Sequence, residues 1–213
     1  MIKSKERISE FGEVFTSQRE VNAMLDLVLD ETQRIESRFL EPACGDGNFL
    51  SEILIRKLTV VTNTYRKSKF DFEVAAFQAV SSLYGIDILE DNVIACRMRL
   101  FTIASDFYER TQRKNISPQF SEALQYVIKK NIIHGNALTL ADAKGKHPIV
   151  FSEWNIVHGR KVKRIDYTFE NLLAYQPFDE QNLFSDLGTE AFLPPPIKSH
   201  DLVHYLEVNN EYF

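Results

Sequence analysis

The chain is short of cysteine, glycine and positive charge, and each shortage narrows what it can be. Its 213 residues hold two cysteines, Cys44 and Cys96, with no metal-ligand spacing. That argues against a disulfide scaffold or a cysteine-built metal site and fits two reduced thiols. No apolar run reaches the length of a membrane span, and the opening MIKSKERISEFGEVF lacks an apolar signal core, so no membrane segment and a cytoplasmic location are expected. The formal net charge of −5 argues against gripping nucleic acid by bulk electrostatics. A local basic patch remains open in HGRKVKR, where Arg160, Lys161, Lys163 and Arg164 fall close together; the alternative is a solvated basic turn.

Two of the eight glycines stand in one stretch, EPACGDGNFL, between the strand-like RFL and the helix-like LSEILIRKL. A dinucleotide fingerprint needs a third glycine, and Leu50 occupies that position. It also needs an acid about 20 residues on; the nearest strand-end acid is Asp87, 40 residues beyond Gly47. The G-x-x-x-x-G-K-[ST] phosphate loop is absent. Glu41 and Asp46 would repel a phosphate and suit a ligand with a positive end. S-adenosylmethionine is such a ligand. A bare glycine backbone admits its methionine part. Asp87 in YGIDI, at the end of a second strand, can accept from both ribose hydroxyls, or else serve as a helix cap.

Around this turn, periodicity predicts alternating helices and strands. Ser17 and Glu20 form a capping box ahead of Val21, Met24, Leu25 and Val28. Leu50, Ile53, Leu54 and Leu58 make one helical face, DFEVAAFQAVSS another helix, and Val93, Cys96, Leu100 and Phe107 a third stripe. SPQFSEALQYVIKK is a helix capped by Ser117, and NIIHG a strand. This order argues for α/β with a parallel sheet and helices on both faces over residues 1–148. Residues 149–213 are expected to form a β-hairpin, turning at His158-Gly159, and an irregular C-terminal extension broken by Pro194-Pro195-Pro196.

FGEVFT, EPACGDGNF, YGIDI and IIHGNAL occur in an order that resembles the N6-adenine DNA methyltransferases of bacterial restriction–modification systems. The resemblance covers roughly residues 11–140. It implies a Rossmann-like class I methyltransferase sheet, S-adenosylmethionine as cofactor and DNA as substrate. It further implies that Phe15 and Thr16 close over the methionine end, although Ser17 stands where the family's motif continues with proline. By the same resemblance Glu41, Pro42, Ala43 and Gly45 line the methionine, Asp87 holds the ribose and Ile88 packs on the adenine. Asn136, followed by Ala137, would bond the adenine edge where many relatives carry aspartate.

The family's catalytic motif, Asn, Asp or Ser followed by Pro-Pro and Tyr or Phe, is absent. The only Pro-Pro run, LPPPIK, has no polar residue before it and no aromatic after it. Ser152 and Trp154 in SEWN are the nearest catalytic candidates, lacking both prolines; the alternative is that IVFSEWNIV is one arm of the hairpin. His200 and His204 have i, i+4 spacing without a third ligand, so no metal is expected. These features suggest a protein that binds the cofactor but is incomplete for catalysis alone. A partner chain would then supply the motif and the target recognition. A degenerate cofactor-binding subunit and a methyltransferase for a non-DNA substrate are the alternatives.

Overall fold

The computed structural model describes residues 16–157, 159–174 and 194–210. Two short helices lead in, α1 (Gln18–Asp26) and α2 (Leu29–Gln33). The capping box at Ser17 and Glu20 forms as expected, with each side chain bonded to the other's backbone. Strand β1 (Phe39–Glu41) follows, then α3 (Asn48–Tyr65), α4 (Lys69–Ser81) and β2 (Leu83–Asp87). Next come α5 (Glu90–Gln112), α6 (Pro118–Asn131) and β3 (Ile132–Asn136). β1, β2 and β3 are parallel neighbours, with Glu41 opposite Gly85 and Asp87 opposite His134. A two-residue antiparallel strand, β4 (Ala141–Asp142), completes a mostly parallel four-stranded sheet. Two residues are too few to carry a period, and β4 is not legible in the sequence.

The expected helix faces are buried. Leu50, Ile53, Leu54 and Leu58 of α3 all lie in the core. On α5 the stripe runs through Val93, Cys96, Leu100, Ala104 and Tyr108, while Phe107 is half-buried. Helices α3 to α6 share one buried cluster with Leu83 and Ile132. The long helices α3 to α6 all cover one face of the sheet. The opposite face, carrying Tyr84 and Ile86, packs against Ile149, Phe151 and Phe169, the last of which begins a short helix. The cause of the long helices sharing a face is strand order: strands following one another across a sheet through right-handed crossovers stack their helices on one side.

The hairpin is β5 (Val150–Val157) with β6 (Lys161–Thr168), paired throughout from Val150–Thr168 to Val157–Lys161. Helix α7 (Phe169–Ala174) follows it. Two short strands, β7 (Lys198–Ser199) and β8 (Val203–His204), flank β6. Trp154 and Val162 of the hairpin, with Tyr205 and Val208 beyond it, enter the same buried cluster as the helices. Trp154 meets Phe77 and Tyr126 edge-on, with ring centroids 6.3 and 6.1 Å apart.

Two buried charges lock these layers together. Lys57, fully buried, donates to the carbonyls of Ile35 and Ser37 and to Ser82 Oγ, joining α3 to the segment that enters β1. Burial lowers its pKa to about 7, against the pull of Glu36 and Glu31. Glu73 on α4 accepts from Tyr108 at 3.1 Å and from Tyr205 at 2.7 Å. Burial and the negative Glu73 push the Tyr108 phenol up to about 12 and the Tyr205 phenol higher still. Tyr205→Phe leaves one buried carboxylate oxygen without its donor. A loss of about 1.5–3 kcal/mol is expected in urea denaturation, the range for hydrogen bonds to charged groups. A loss below about 0.5 kcal/mol would show that Tyr205 holds the tail by packing alone.

Between the β1 edge and the hairpin lies a cavity of about 230 Å³. Leu40, Tyr84, Phe151, Tyr167, Leu172 and Pro194 are among the residues lining it. Among the described residues β1 pairs with β2 only, so its other edge carries no strand.

Candidate functional site

The carboxyl ends of β1, β2 and β3 lie side by side and present Glu41, Asp87 and Asn136. Such a row of strand ends is where open α/β sheets bind ligands. The glycine turn closes over it. Gly45 and Gly47 both have positive φ, +53° and +89°, a backbone form that side-chain-bearing residues avoid. Their surroundings differ. A Cβ on Gly45 would meet nothing within 4 Å, so the turn leaves open space there. A Cβ on Gly47 would stand 2.7 Å from Cys96 Sγ, because α5 packs directly under the turn. Gly85 in β2 plays a similar part: its Cβ would lie 3.0 Å from both Cys44 Sγ and Leu50.

Asp87 is the hub. Its Oδ2 accepts from Gly45 N at 2.8 Å, and its Oδ1 from Leu89 N at 2.8 Å and Asn92 Nδ2 at 3.3 Å. It therefore braces the turn and the entry to α5 together. A carboxylate offers about four lone-pair sites, so capacity for another donor remains. Glu41 is half-buried, and burial raises its pKa while a weak bond from Ala43 N opposes the rise. Pro42, Ala43 and Ile88 are exposed beside it.

The turn's second carboxylate stands elsewhere. Asp46 pairs with Arg99 of α5 at 2.8 Å, so its charge is balanced on the flank of the turn. The acidic character of the mouth comes from Glu41 and Asp87. Asn136 accepts at Oδ1 from Leu138 N at 2.9 Å and Thr139 N at 3.4 Å, while its Nδ2 carries no hydrogen bond among the described residues. Its acceptor is committed to its own loop. Its donor remains, which suits the ring nitrogens of a purine. Ala137 is half-buried against the second cluster. Leu138, 95% exposed, is an apolar side chain at this mouth that no sequence period marks.

Thr16 is held at the amino end of α3, its carbonyl accepting from Asn48 Nδ2 at 2.6 Å. Phe15 lies outside the described residues. Supporting residues missed in the sequence are Asn92, Cys96 and Arg99, all on α5. A helical stripe marks which residues face inward and does not say which turn they meet.

The two catalytic candidates are corrected by their surroundings. Ser152 is 2% exposed and donates to Asp166 Oδ1 at 2.7 Å. Trp154 is buried, with Nε1 bonded to Asn131 Oδ1 at 2.9 Å. Both are buried side chains of β5, a strand outside the parallel sheet, and their polar atoms are engaged by Asp166 and Asn131. The histidines do not converge either: His200 Nε2 bonds Asp166 at 2.8 Å, while His204 Nδ1 accepts from Leu206 N. Among the described residues no cluster of His, Cys, Asp or Glu could hold a metal. The Cys44 thiol is pushed far above its ordinary range by its hydrogen bond with Cys96, by burial and by nearby negative charge. It is a buried, packed thiol.

The site can thus accept hydrogen bonds, favour positive charge and admit a ligand along bare backbone. Among described residues no helix is long and apolar enough to cross a membrane. The chain matches no family model, no curated protein and no solved structure.

Proposed function

We propose that this chain binds S-adenosylmethionine at the carboxyl ends of its parallel strands, as an N6-adenine DNA methyltransferase-like protein incomplete for catalysis alone. The observation that carries the reading is the joint placement of Asp87 and Gly45, a strand-end acid bonded to a glycine turn with open space beyond it. The residues fit the cofactor's groups. Glu41 and Asp87 favour its positive end and can accept from its ribose hydroxyls. Exposed Ile88 offers an apolar surface to a purine ring, and Asn136 Nδ2 offers a donor to the ring's edge. Asp46, neutralised by Arg99, adds little to cation binding.

When bound, S-adenosylmethionine supplies an electrophilic methyl group. The chain's own residues position it: Gly45 allows the approach, Asp87 holds turn and ribose in one frame, and Glu41 balances the positive charge. Positioning is the larger part of such a transfer. Acceptors for the amine of a target base are the missing part. The open edge of β1, beside the glycine turn, is where a partner chain could add them. The burial of Ser152 and Trp154 favours the second reading, a cofactor-binding subunit without turnover.

Titration calorimetry with S-adenosylmethionine tests the reading. The unmodified chain should bind, and Asp87→Ala should weaken binding at least about tenfold, the equivalent of ~1.4 kcal/mol. Affinity should also fall as the pH is lowered through the raised Glu41 range, because the neutral acid no longer attracts a cation. No binding, or equal binding by an Asp87→Ala variant with a normal unfolding transition, would sink the proposal. Transfer of labelled methyl to unmethylated DNA by the purified chain would overturn the claim that it is incomplete.

A further inference from the structure

We infer that the end of the molecule opposite the glycine turn is a surface for a nucleic-acid backbone. Basic residues from separate parts of the chain gather there. Arg66 and Lys67 follow the end of α3, Arg113 and Lys114 follow the end of α5, and Arg160 and Lys161 lie at the tip of the hairpin. All six are exposed. Helix α3 has 18 residues, and at 1.5 Å per residue this end lies about 27 Å from the turn at its start.

Specific contacts bring the segments together. Thr62 Oγ1 and Thr111 Oγ1 are 3.3 Å apart, which sets the last turns of α3 and α5 side by side. Phe72 meets Tyr108 edge-on at 5.9 Å, fixing the start of α4 against α5. The Arg160 guanidinium sits 4.3 Å over the ring of Phe70, which fixes the hairpin tip against the start of α4. Tyr205 N also donates to the Arg160 carbonyl at 2.9 Å. The segments that carry the cations are therefore held together.

Few carboxylates answer them. In these segments Glu73 is buried with its tyrosines and lies 3.5 Å from Lys69, and Asp106 pairs with Arg110 at 3.6 Å. Asp71 and Glu109, with Asp201 and Glu207 of the tail beside the hairpin tip, are the exposed acids left. Among the described residues Arg66, Lys67, Arg113, Lys114 and Lys161 form no ion pair. A chain of net charge −5 has concentrated positive charge at one end. Cations beyond a helix's carboxyl end can simply offset its dipole, which accounts for Arg66 and Arg113. It does not account for Arg160 and Lys161, which lie in the hairpin turn and at the start of β6.

The chemistry favours an extended polyanion. The cations are spread over a surface, whereas a single phosphate needs donors converging on one point. Leu202 of the adjoining tail is the one exposed large apolar side chain beside these segments among the described residues, and a membrane surface would call for several to insert. A nucleic-acid backbone is the polyanion that needs only spaced positive charge.

Fluorescence anisotropy with a short mixed-sequence DNA duplex, without S-adenosylmethionine, provides the test. The unmodified chain should bind, and affinity should fall roughly a hundredfold or more between about 50 and 200 mM salt if four or more cations meet phosphates. The triple variant Lys67→Glu, Lys114→Glu, Lys161→Glu should bind at least about tenfold more weakly, with the salt slope reduced by about 3. A control of equal charge change, Lys144→Glu, Lys146→Glu, Lys198→Glu, should lose much less. Three results would overturn the inference: no duplex binding by the unmodified chain, equal losses in both triple variants, or binding to phosphatidylserine vesicles without duplex binding. Calorimetry with S-adenosylmethionine on the same variants keeps this outcome separate from the cofactor proposal, because the surface lies far from the turn.

Discussion

Asp166→Ala should cost about 3–5 kcal/mol of folding stability, the range for removing one partner of a buried ion pair. Arg164 and Asp166 are each 9% exposed or less. The guanidinium grips the carboxylate with Nε on Oδ1 and Nη2 on Oδ2, both at 2.8 Å. It also donates to Ser152 Oγ at 3.0 Å and to Tyr126 OH at 2.6 Å, and lies over the rings of Trp154 and Tyr126. Removing the carboxylate takes the bidentate partner from a buried cation and the bond from His200. The midpoint of thermal unfolding should drop by roughly 6–20 °C at the usual 2–4 °C per kcal/mol for a chain of this size. A drop under about 2 °C would mean that water reaches Arg164 and replaces its partner. The wild-type pair also predicts acid sensitivity. Burial alone would raise the Asp166 carboxyl, but hydrogen bonds from Arg164, Ser152 and His200 outweigh it and hold the carboxyl below its ordinary range. This contribution is present above the unfolded carboxyl pKa and is lost as pH falls through the lower folded value.

Gly47→Ala should be the second most damaging change, and Gly45→Ala much milder although two positions away. Both residues adopt a left-handed backbone, which costs an alanine about 1–2 kcal/mol. Only at Gly47 does the new methyl also collide, 2.7 Å from Cys96 Sγ and 3.3 Å from Cys96 Cα. Overpacking of this kind adds about 1–3 kcal/mol. The expected total is about 2–5 kcal/mol for Gly47→Ala against about 1–2 for Gly45→Ala, read from urea denaturation. Adding Cys96→Ala to Gly47→Ala should recover part of the loss, because it removes the sulfur from the collision. A double-mutant cycle should show coupling of at least about 0.5 kcal/mol, as residues in contact do. Equal losses at the two glycines would mean that the turn moves away from α5 without cost.

Local features were legible in the sequence because neighbouring residues cause them. Ser17 with Glu20, Ser117 ahead of Pro118, and Leu50, Ile53, Leu54 and Leu58 announce caps and faces through fixed short spacing. Gly45, Gly47 and Asp87 stood out in the sequence because the glycines fill a turn between a strand and a helix and Asp87 ends a strand. Long-range pairings were not. Nothing near Asp46 marks Arg99 as its partner, and nothing near Ser152 marks Asp166 and Arg164 across the hairpin. Alternation in SEWNIV shows that Ser152 and Trp154 share a face. It does not show whether that face meets solvent, a ligand or the core, which depends on α4 and α6 lying beneath it. The one-sided arrangement of the long helices likewise depends on strand order, which hydrophobic periods do not encode.

The edge of β1 that no strand among the described residues covers also bears on how the chain behaves at high concentration. An unpaired strand invites copies of itself to stack, the first step toward fibres. Here the ledge is three residues long, Phe39–Glu41, shorter than the six or seven residues that a self-templating segment needs. Arg38 stands at its entrance, tethered to Glu153, and Pro42 at its exit has no amide hydrogen to extend a ladder. An edge of this length is too short to propagate a stack.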